Sequence, residues 1–371
     1  MRALKVAFDN SLTAGNWTGT GVYALQLIQN LAANEEIQLT VFNGWGFPSG
    51  NGSVARKIRR IGNVALAHGY VPLALRMKKI DVMHGPNFIV PLRCPCPTVV
   101  TIHDVSFLSH PHHFGRAWRT YVTSLMPSVL RSAGGIICVS ESAKRDLLSA
   151  YEIAEKKVHV VHNGLDHARF HTGTRLDEGW AYSVGIAKRY LLHVGVFAER
   201  KNIPVLLRAV AKLRDAGNFE GCQLVLAGKE PPGVVGARSI DDTIRDFHLH
   251  EVVLKLGHVP DNKLAGLYAG AALLVMPSMY EGFGFPVLEA MATGTPVIAS
   301  NASSLPEIAG DAAVLVAPGD ESALADAIHA LLEDDVRRQE LRAKGLAQAQ
   351  KFDWKRTVEQ TIAVYRAVAR R

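Results

Sequence analysis

Short apolar runs alternate with longer amphipathic stretches from one end of this chain to the other, and that rhythm leaves few folds open. The strand-like runs include 5–8, 39–42, 98–102, 135–139, 158–161, 190–194, 223–227, 252–256, 272–276 and 296–299. Many of them are continuously apolar, the pattern of strands covered on both faces. Helical periodicity fills the intervals, for example at 22–31, 142–150, 204–215, 261–269 and 321–332. Strand then helix, repeated, dictates parallel sheets joined by right-handed crossovers. Two such sets lie on either side of about residue 175, so an α/β protein of two doubly wound domains is expected. The polar segment 171–182, which has no apolar period, is the expected hinge. A chain of 371 residues suits two domains of roughly 150–200 residues each.

Composition narrows the class. Hydrophobic residues make up 48% and charged residues 20%, a balance that gives each half a core and excludes disorder. A formal charge of +7 and a pI near 9.2 favour polyanionic partners: nucleotide phosphates, anionic lipid headgroups or nucleic acid. No helix-turn-helix, zinc module or aromatic-basic platform accompanies the charge, so nucleic acid is not expected. The four cysteines are Cys94, Cys96, Cys138 and Cys222. They form no C-x-x-C pair, Cys94-Pro95-Cys96 is too tight for ordinary zinc spacing, and they read as buried or idle thiols in a reducing cytosol. The opening residues lack the apolar stretch of a signal peptide. No run is predominantly apolar over the roughly 20 residues a membrane-spanning helix needs.

Ligands in open parallel sheets bind beyond the carboxyl ends of the strands. Two such domains are therefore expected to hold a substrate in a cleft between those ends. Four segments sit where that chemistry belongs. Thr18-Gly19-Thr20-Gly21, between the first strand and first helix, reads either as a ligand loop or as a tight turn. It is not a full G-x-G-x-x-G fingerprint, and no ribose-binding acid stands at the usual offset. His103-Asp104, directly after the run 98–102, either faces the cleft or is one unremarkable histidine among 15. The nearby His110, His112 and His113 are interrupted by Pro111 and read as a solvated loop rather than a metal cluster. The third segment runs from His193 to Asn202 through the turn at Gly195 and carries Arg200 and Lys201. Two adjacent cations at a sheet mouth suit a diphosphate whose charge grows as it leaves, or else form a solvated basic turn. The fourth runs from Tyr280 to Ala290. Gly282 and Gly284 permit close backbone approach, and Pro286 opens a helix whose first-turn N–H groups favour phosphate. Glu281 precedes that helix and Glu289 lies one turn inside it.

At these residues the chain resembles the large family of retaining GT-B glycosyltransferases that includes bacterial mannosyl- and glucosyltransferases of polysaccharide assembly. The defining pattern, Glu followed by seven residues and a second Glu, stands here at Glu281 and Glu289. The resemblance spans essentially the whole chain, through Gly19–Gly21, His103-Asp104, Val139-Ser140-Glu141-Ser142, His162-Asn163-Gly164, Arg200-Lys201 and Phe352-Asp353-Trp354. It implies two Rossmann-like domains facing across a cleft. Residues 1–174 would bind the acceptor and 175–353 the nucleotide sugar, with a final helix 354–371 crossing back to the first domain.

The resemblance also implies roles. Arg200 and Lys201 would hold the donor diphosphate, with Gly195 in the turn before them. Glu281 would contact the donor sugar hydroxyls, with the backbone of Phe283, Gly284 and Phe285 nearby. Glu289 would bind the ribose, and backbone at Val287 and Leu288 would touch phosphate. His103 would hydrogen-bond the sugar near its reacting end, His258 and Val259 would lie beside the base, and Gly19 and Gly21 would line the cleft. The acceptor hydroxyl then attacks from the face the leaving phosphate occupies, and a phosphate oxygen takes its proton. A carboxylate nucleophile of the retaining-glycosidase kind is not required. With no Asp-x-Asp sequence and two cations at hand, no metal and no cofactor are expected. The donor is a nucleotide diphosphate sugar, GDP-mannose ahead of UDP-hexoses, and the acceptor a glycan or lipid-linked sugar.

Between residues 53 and 79, Arg56, Lys57, Arg59, Arg60, Arg76, Lys78 and Lys79 interleave with apolar residues, and Arg116, Trp118 and Arg119 extend the pattern. This reads as a surface for an anionic membrane or as an ordinary solvated helix pair. A cytoplasmic protein, peripheral on the inner face of the plasma membrane, is the matching expectation. A nucleotide-sugar epimerase of similar fold is the alternative enzyme, and a basic nucleic-acid-binding protein the alternative of another class.

Overall fold

The computed structural model describes residues 2–10, 18–42, 71–88, 90–91, 93–109, 111, 115–229 and 240–370. The chain divides into two compact units, Met1–Gly164 with Trp354–Arg371, and Leu165–Asp353. The basic stretch from 53 to 70 and the histidines 110, 112 and 113 lie outside the described residues, as does the side chain of Trp118.

In the first unit the described strands are β1 (Leu4–Asp9), β2 (Ile37–Phe42), β3 (Val82–Gly85), β4 (Thr98–Ile102), β5 (Gly135–Cys138) and β6 (Val158–Val160), ordered β2-β1-β3-β4-β5-β6. All pairings are parallel. β4 and β5 are buried at every position, which is why their sequences run apolar without alternation. The helix Arg116–Ser132 closes one side of this sheet through Val122, Met126 and Leu130, which pack with Val100, Ile102 and Ile136. The last helix, Trp354–Ala369, belongs to the same unit. Gly134 and Gly135 make its approach possible, since a Cβ on Gly134 would lie 2.6 Å from Val368 Cγ1. A buried polar chain anchors it. Tyr365 OH meets His84 Nδ1 at 2.6 Å, His84 Nε2 meets Thr101 Oγ1 at 2.8 Å, and Tyr23 OH reaches the same hydroxyl at 2.9 Å. Burial pushes the His84 imidazole down to about 3, so it stays neutral within that chain.

In the second unit the strands are β7 (Tyr190–Val194), β8 (Gln223–Ala227), β9 (Val253–Gly257), β10 (Leu273–Met276), β11 (Val297–Ser300) and β12 (Ala313–Val316), ordered β12-β11-β10-β7-β8-β9 and again parallel throughout. The helices Ile203–Asp215 and Glu321–Glu333 lay Leu206, Val210, Leu324 and Ile328 onto Leu224, Leu226 and Val275. The strand order reverses between β7 and β10, so the connections after these two neighbours leave toward opposite sides of the sheet. That divergence opens a crevice at their carboxyl ends.

Two sequence expectations need correction. The boundary falls at Gly164/Leu165 rather than near residue 175, and the polar segment 171–182 belongs to the second unit. Residues 165–169 ahead of it, and Asp177 within it, contact the rest of the second unit. Leu165 N–H donates to Phe352 O at 3.2 Å, His167 Nε2 pairs with Phe352 O at 2.9 Å, and Arg169 donates to Asp261 O at 2.7 Å. Asp177 caps the helix Glu178–Ser183, accepting from Trp180 N–H, and its other oxygen pairs with Lys263. The segment is polar because it is fastened by side-chain hydrogen bonds. β3 and β12 are not among the expected runs; in β3 the apolar pair Val82-Met83 is followed at once by His84 and Gly85.

Candidate active site

Strand β7 ends in His193 and Val194, then breaks at Gly195, whose φ of +148° suits glycine alone. Its N–H continues the ladder to Ala227 O at 2.9 Å. Gly228, at the end of the neighbouring strand, comes so close that a Cβ there would lie 1.8 Å from Gly195 O. The chain then makes a tight turn, Glu199–Lys201, that ends on Asn202 in the left-handed region, and Pro204 opens the next helix. The loop after β10 is stitched to this turn. Met279 N–H donates to Arg200 O at 2.7 Å, and Asn202 Nδ2 donates to Pro277 O at 3.2 Å. Both loops therefore converge at the point where the strand order reverses.

That convergence brings Arg200, Lys201 and Glu281 together. Lys201 Nζ donates to Glu281 Oε1 at 2.6 Å and Arg200 Nη1 to Oε2 at 3.2 Å, while Ser278 Oγ donates to Oε1 at 2.8 Å. Lys201 is 6% exposed and Glu281 7%, which rules out a solvated basic turn. Burial alone would push the Glu281 carboxyl up. The Lys201 and Arg200 charges, with the Lys201 and Ser278 hydrogen bonds, outweigh it and hold the carboxyl at about 2. Burial pushes the Lys201 ammonium down, against the pull of Glu281. Glu281 is thus an ionised carboxylate whose first task is to hold two cations. Its Oε1 already accepts two bonds, and only Oε2 retains acceptor capacity for a ligand.

A rack of serines fixes the backbone beneath this knot. Glu281 N–H donates to Ser303 Oγ at 2.8 Å, and Ser304 Oγ donates to Glu281 O and Phe283 O at 2.9 and 2.6 Å. Ser300 Oγ donates to Ser278 O. Ser303 sits at φ +51°, an uncommon conformation for a residue with a side chain. His193 lies buried below. Its Nδ1 pairs with Val275 O at 2.9 Å, and burial brings the ring down to about 4.

Glu289 is placed apart from Glu281, on the helix Phe285–Thr293. Tyr268 OH donates to its Oε2 at 2.7 Å. Burial raises the Glu289 carboxyl, while that bond and the Arg169 charge oppose the rise. Arg169 stacks over Phe170, which meets the Tyr268 ring edge-on. At the start of the same helix Gly284 has φ +124°, and its carbonyl accepts from Val287 N–H at 3.0 Å and Leu288 N–H at 3.4 Å. The Val287 and Leu288 side chains point into the core, and Phe283 packs on Phe285 and Phe352. His258 is exposed and Val259 buried, just past Gly257 at the end of β9.

The remaining predicted residues belong to the first unit. Gly19 and Gly21 form the first turn of the helix Gly19–Ala32, not the loop before it, with Gly19 exposed and Gly21 buried. His103 follows β4 at its carboxyl end. Its Nε2 meets Pro86 O at 2.8 Å, and the Tyr23 ring stands edge-on at 4.9 Å. Nε2 must carry the proton to donate to a carbonyl, which leaves Nδ1 an acceptor in the neutral ring. Burial lowers this imidazole and so maintains that state. Asp104 caps the short helix Ser106–Ser109, accepting from Ser106 N–H and Oγ. Among the described residues no group of three His, Cys, Asp or Glu side chains is placed to hold a metal ion.

Sequence reasoning missed Tyr268, Ser278, Ser303 and Ser304 as members of the site, and gave His193, the first residue of the third segment, no role. Only their position at or near strand carboxyl ends could have flagged the serines, and Tyr268 lies on an ordinary helix face.

Comparison with known proteins follows the same division of the chain. The family model described as Glycosyltransferase Family 4 matches residues 17–169, and that described as Glycosyl transferases group 1 matches residues 184–348. The O-antigen chain mannosyltransferase B of Escherichia coli is 31% identical over 98% of this chain and 100% of its own length. The MMP alpha-(1->4)-mannosyltransferase of Mycolicibacterium hassiacum is 32% identical over 69% of this chain and 59% of its own. Among solved structures, a sucrose-phosphate synthase from Thermosynechococcus elongatus superposes with a TM-score of 0.77 at 21% identity, covering 98% of each chain. WaaG, a glycosyltransferase involved in lipopolysaccharide biosynthesis, superposes with a TM-score of 0.72 at 17% identity, covering 96% of this chain and 98% of its own.

Proposed function

The chain belongs to the bacterial polysaccharide glycosyltransferases of GT-B fold, and from that premise we propose a retaining hexosyltransferase that draws on a nucleotide diphosphate sugar. Mannose is the favoured sugar and GDP-mannose the favoured donor, in keeping with the two mannosyltransferases among its relatives. UDP-hexoses come second: a solved structure of similar fold is titled as a complex of Anabaena Alr3699/HepE with UDP-glucose. The acceptor is a glycan or lipid-linked sugar of a cell-surface polysaccharide.

The observation that carries this reading is the buried Arg200–Glu281–Lys201 knot at the crevice where β7 and β10 diverge. An ammonium has three donors, and Lys201 uses one on Glu281. The others, with Arg200, meet the donor diphosphate and neutralise its charge as the glycosidic bond breaks. Because Glu281 fixes both cations beforehand, little reorganisation is needed when that charge develops. Oε2 of Glu281 accepts from a sugar hydroxyl and Glu289 from the ribose. His103, neutral with Nδ1 as acceptor, suits a hydroxyl of the donor sugar. The acceptor oxygen attacks on the face the phosphate leaves, and a phosphate oxygen takes its proton. No metal is assigned, since the two cations fill the electrostatic role.

A membrane-facing surface fits the lipid-linked acceptor. On the helix Val71–Met77, Ala74 and Leu75 are buried while Leu73 and Met77 are 58% and 77% exposed. Arg76, Lys78 and Lys79 lie exposed around them, an apolar ridge within a basic field. No described helix is long and apolar enough to cross a membrane. We assign a cytoplasmic, peripheral location on this pattern.

The deciding assay is release of nucleoside diphosphate from GDP-mannose, UDP-glucose and their isomers, with and without a mannose-terminated acceptor. Acceptor-dependent release, an α-linked product by NMR and its collapse in Lys201→Ala are expected. Interconversion of the sugar without an acceptor would instead identify an epimerase, and an inverted linkage would overturn the retaining mechanism.

A further inference from the structure

The segment leading into β4 carries two thiols that the catalytic reading does not use. From residue 93 to 97 the chain alternates strictly: Arg93, Pro95 and Pro97 are exposed, while Cys94 and Cys96 are partly buried. The chain bends at Arg93 and again at Pro95-Cys96 before β4 begins at Thr98, and the burial pattern turns residues 94 and 96 to the same side. Both thiols therefore face the same apolar patch, where they pack with Val71, Leu75, Ile80 and Met83. Their sulfurs are in contact, with Sγ–Sγ 3.6 Å. The place is the amino end of β4, the opposite end of the strand from His103.

We propose that Cys94 and Cys96 form a reversible dithiol–disulfide couple, a redox-modification site distinct from the transfer chemistry. The sulfurs need to close from contact to a bond of about 2.0 Å, a movement that rotation of the two partly buried side chains can supply. The step is an exchange with a low-molecular-weight disulfide of the glutathione class. One protein thiolate attacks one sulfur of that disulfide, expelling one thiolate and forming a mixed disulfide. The neighbouring protein thiolate then attacks the cysteine sulfur of the mixed disulfide, expelling the second. Two protein thiols lose two electrons and two protons in all, and one small disulfide becomes two small thiols. Either thiol can open the exchange, since in their contact either sulfur can be the donor. Cys138 and Cys222 are buried. Burial pushes the Cys138 thiol up to about 12 and raises that of Cys222, so neither competes.

The proposal separates from the reading of two idle small side chains in what a single substitution does. Idle thiols respond to oxidant independently, whereas a couple traps the mixed disulfide once its resolving partner is gone. The experiment uses the full-length protein, reduced and then equilibrated in buffers of graded glutathione to glutathione-disulfide ratio, with acid quenching and intact-mass measurement. The wild type is expected to lose two hydrogens, to yield a peptide cross-linked between Cys94 and Cys96, and to return fully on reduction without denaturant. C96S is expected to accumulate one glutathione adduct on Cys94 under the same conditions. C94S is expected to accumulate the corresponding single adduct on Cys96. A wild type that stays reduced, or that gathers glutathione adducts at the same rate and extent as C96S, overturns the couple. So does a disulfide that joins two molecules. Circular dichroism of C94S and C96S confirms that each is folded, which keeps a null result interpretable.

Discussion

Replacing Lys201 by methionine isolates the energetic role of the ion pair from its chemistry. The change keeps the length of the side chain and removes its charge, leaving Glu281 7% exposed with Arg200 at 3.2 Å and the Ser278 hydroxyl as its remaining partners. A carboxyl held at about 2 against an ordinary 4.5 corresponds to roughly 3 kcal/mol of preferential stabilisation of its charged form. Breaking a buried pair from one side costs about 3–5 kcal/mol. With Arg200 still in place we expect the lower end, about 3 kcal/mol. For a unit of this size that is a fall of roughly 6–12 °C in melting temperature. The pH dependence has a definite sign. Because the folded carboxyl lies below its unfolded value, its contribution is present above about pH 4.5 and lost as pH falls toward 2. In Lys201→Met the folded value rises toward the unfolded one, so this carboxyl's share of the pH dependence shrinks and the deficit relative to wild type narrows as pH falls toward 3. Urea and thermal unfolding followed by circular dichroism, at pH 7 and at steps down to pH 3, measure both. The double variant Lys201→Met/Glu281→Gln leaves no unmatched carboxylate and should lose less than the sum of the two single variants. A single variant that shifts the midpoint by less than about 2 °C, or additive losses, would refute the pairing.

Tyr268→Phe removes the hydroxyl that lowers the Glu289 carboxyl, so that carboxyl should rise further. Calorimetry should show nucleoside diphosphate affinity falling roughly tenfold, as expected for one hydrogen bond to a charged group, and falling more at pH 6 than at pH 8. Equal losses at both would detach Tyr268 from Glu289. Gly228→Ala drives a methyl to 1.8 Å from Gly195 O and should abolish soluble, cooperatively folding protein. Gly221→Ala, at φ +65° with open space around it, should cost only about 1–2 kcal/mol in chemical denaturation. Tyr365→Phe strands His84 Nδ1 in the core of the first unit and should cost about 1–3 kcal/mol. No measurable loss would mean that the buried chain is not what anchors the last helix.

Much of the scaffold was legible because each strand–helix pair is a local pattern. The continuous apolar runs at β4, β7 and β8 match the observed strands residue for residue. The polar segment 171–182 misled because polarity was equated with a linker. Here it marks side chains fastening a backbone that has little apolar surface of its own. In the candidate site, Lys201 and Glu281 were each legible, but not their union. They lie 80 residues apart, and only the reversal of strand order between β7 and β10 makes them neighbours. Without that contact, Glu281 reads as a free acceptor rather than a carboxylate already committed to two cations. Ser303 and Ser304 were invisible for a related reason, since loop serines look alike until a backbone carbonyl is placed against one.

The first unit is built from both sides of the second: the helix 354–369 packs onto a sheet begun at β1. On a ribosome the order of completion is therefore reversed. Residues 165–353 are contiguous and can close their core as soon as they emerge, while Gly134, Gly135 and the His84 hydroxyl chain wait for a helix synthesised after them. A nascent chain stalled before residue 354 would carry a finished second unit and an open-faced first one. Such a species is the natural target of chaperones and proteases, so quality control of this protein should act most strongly on its amino-terminal half.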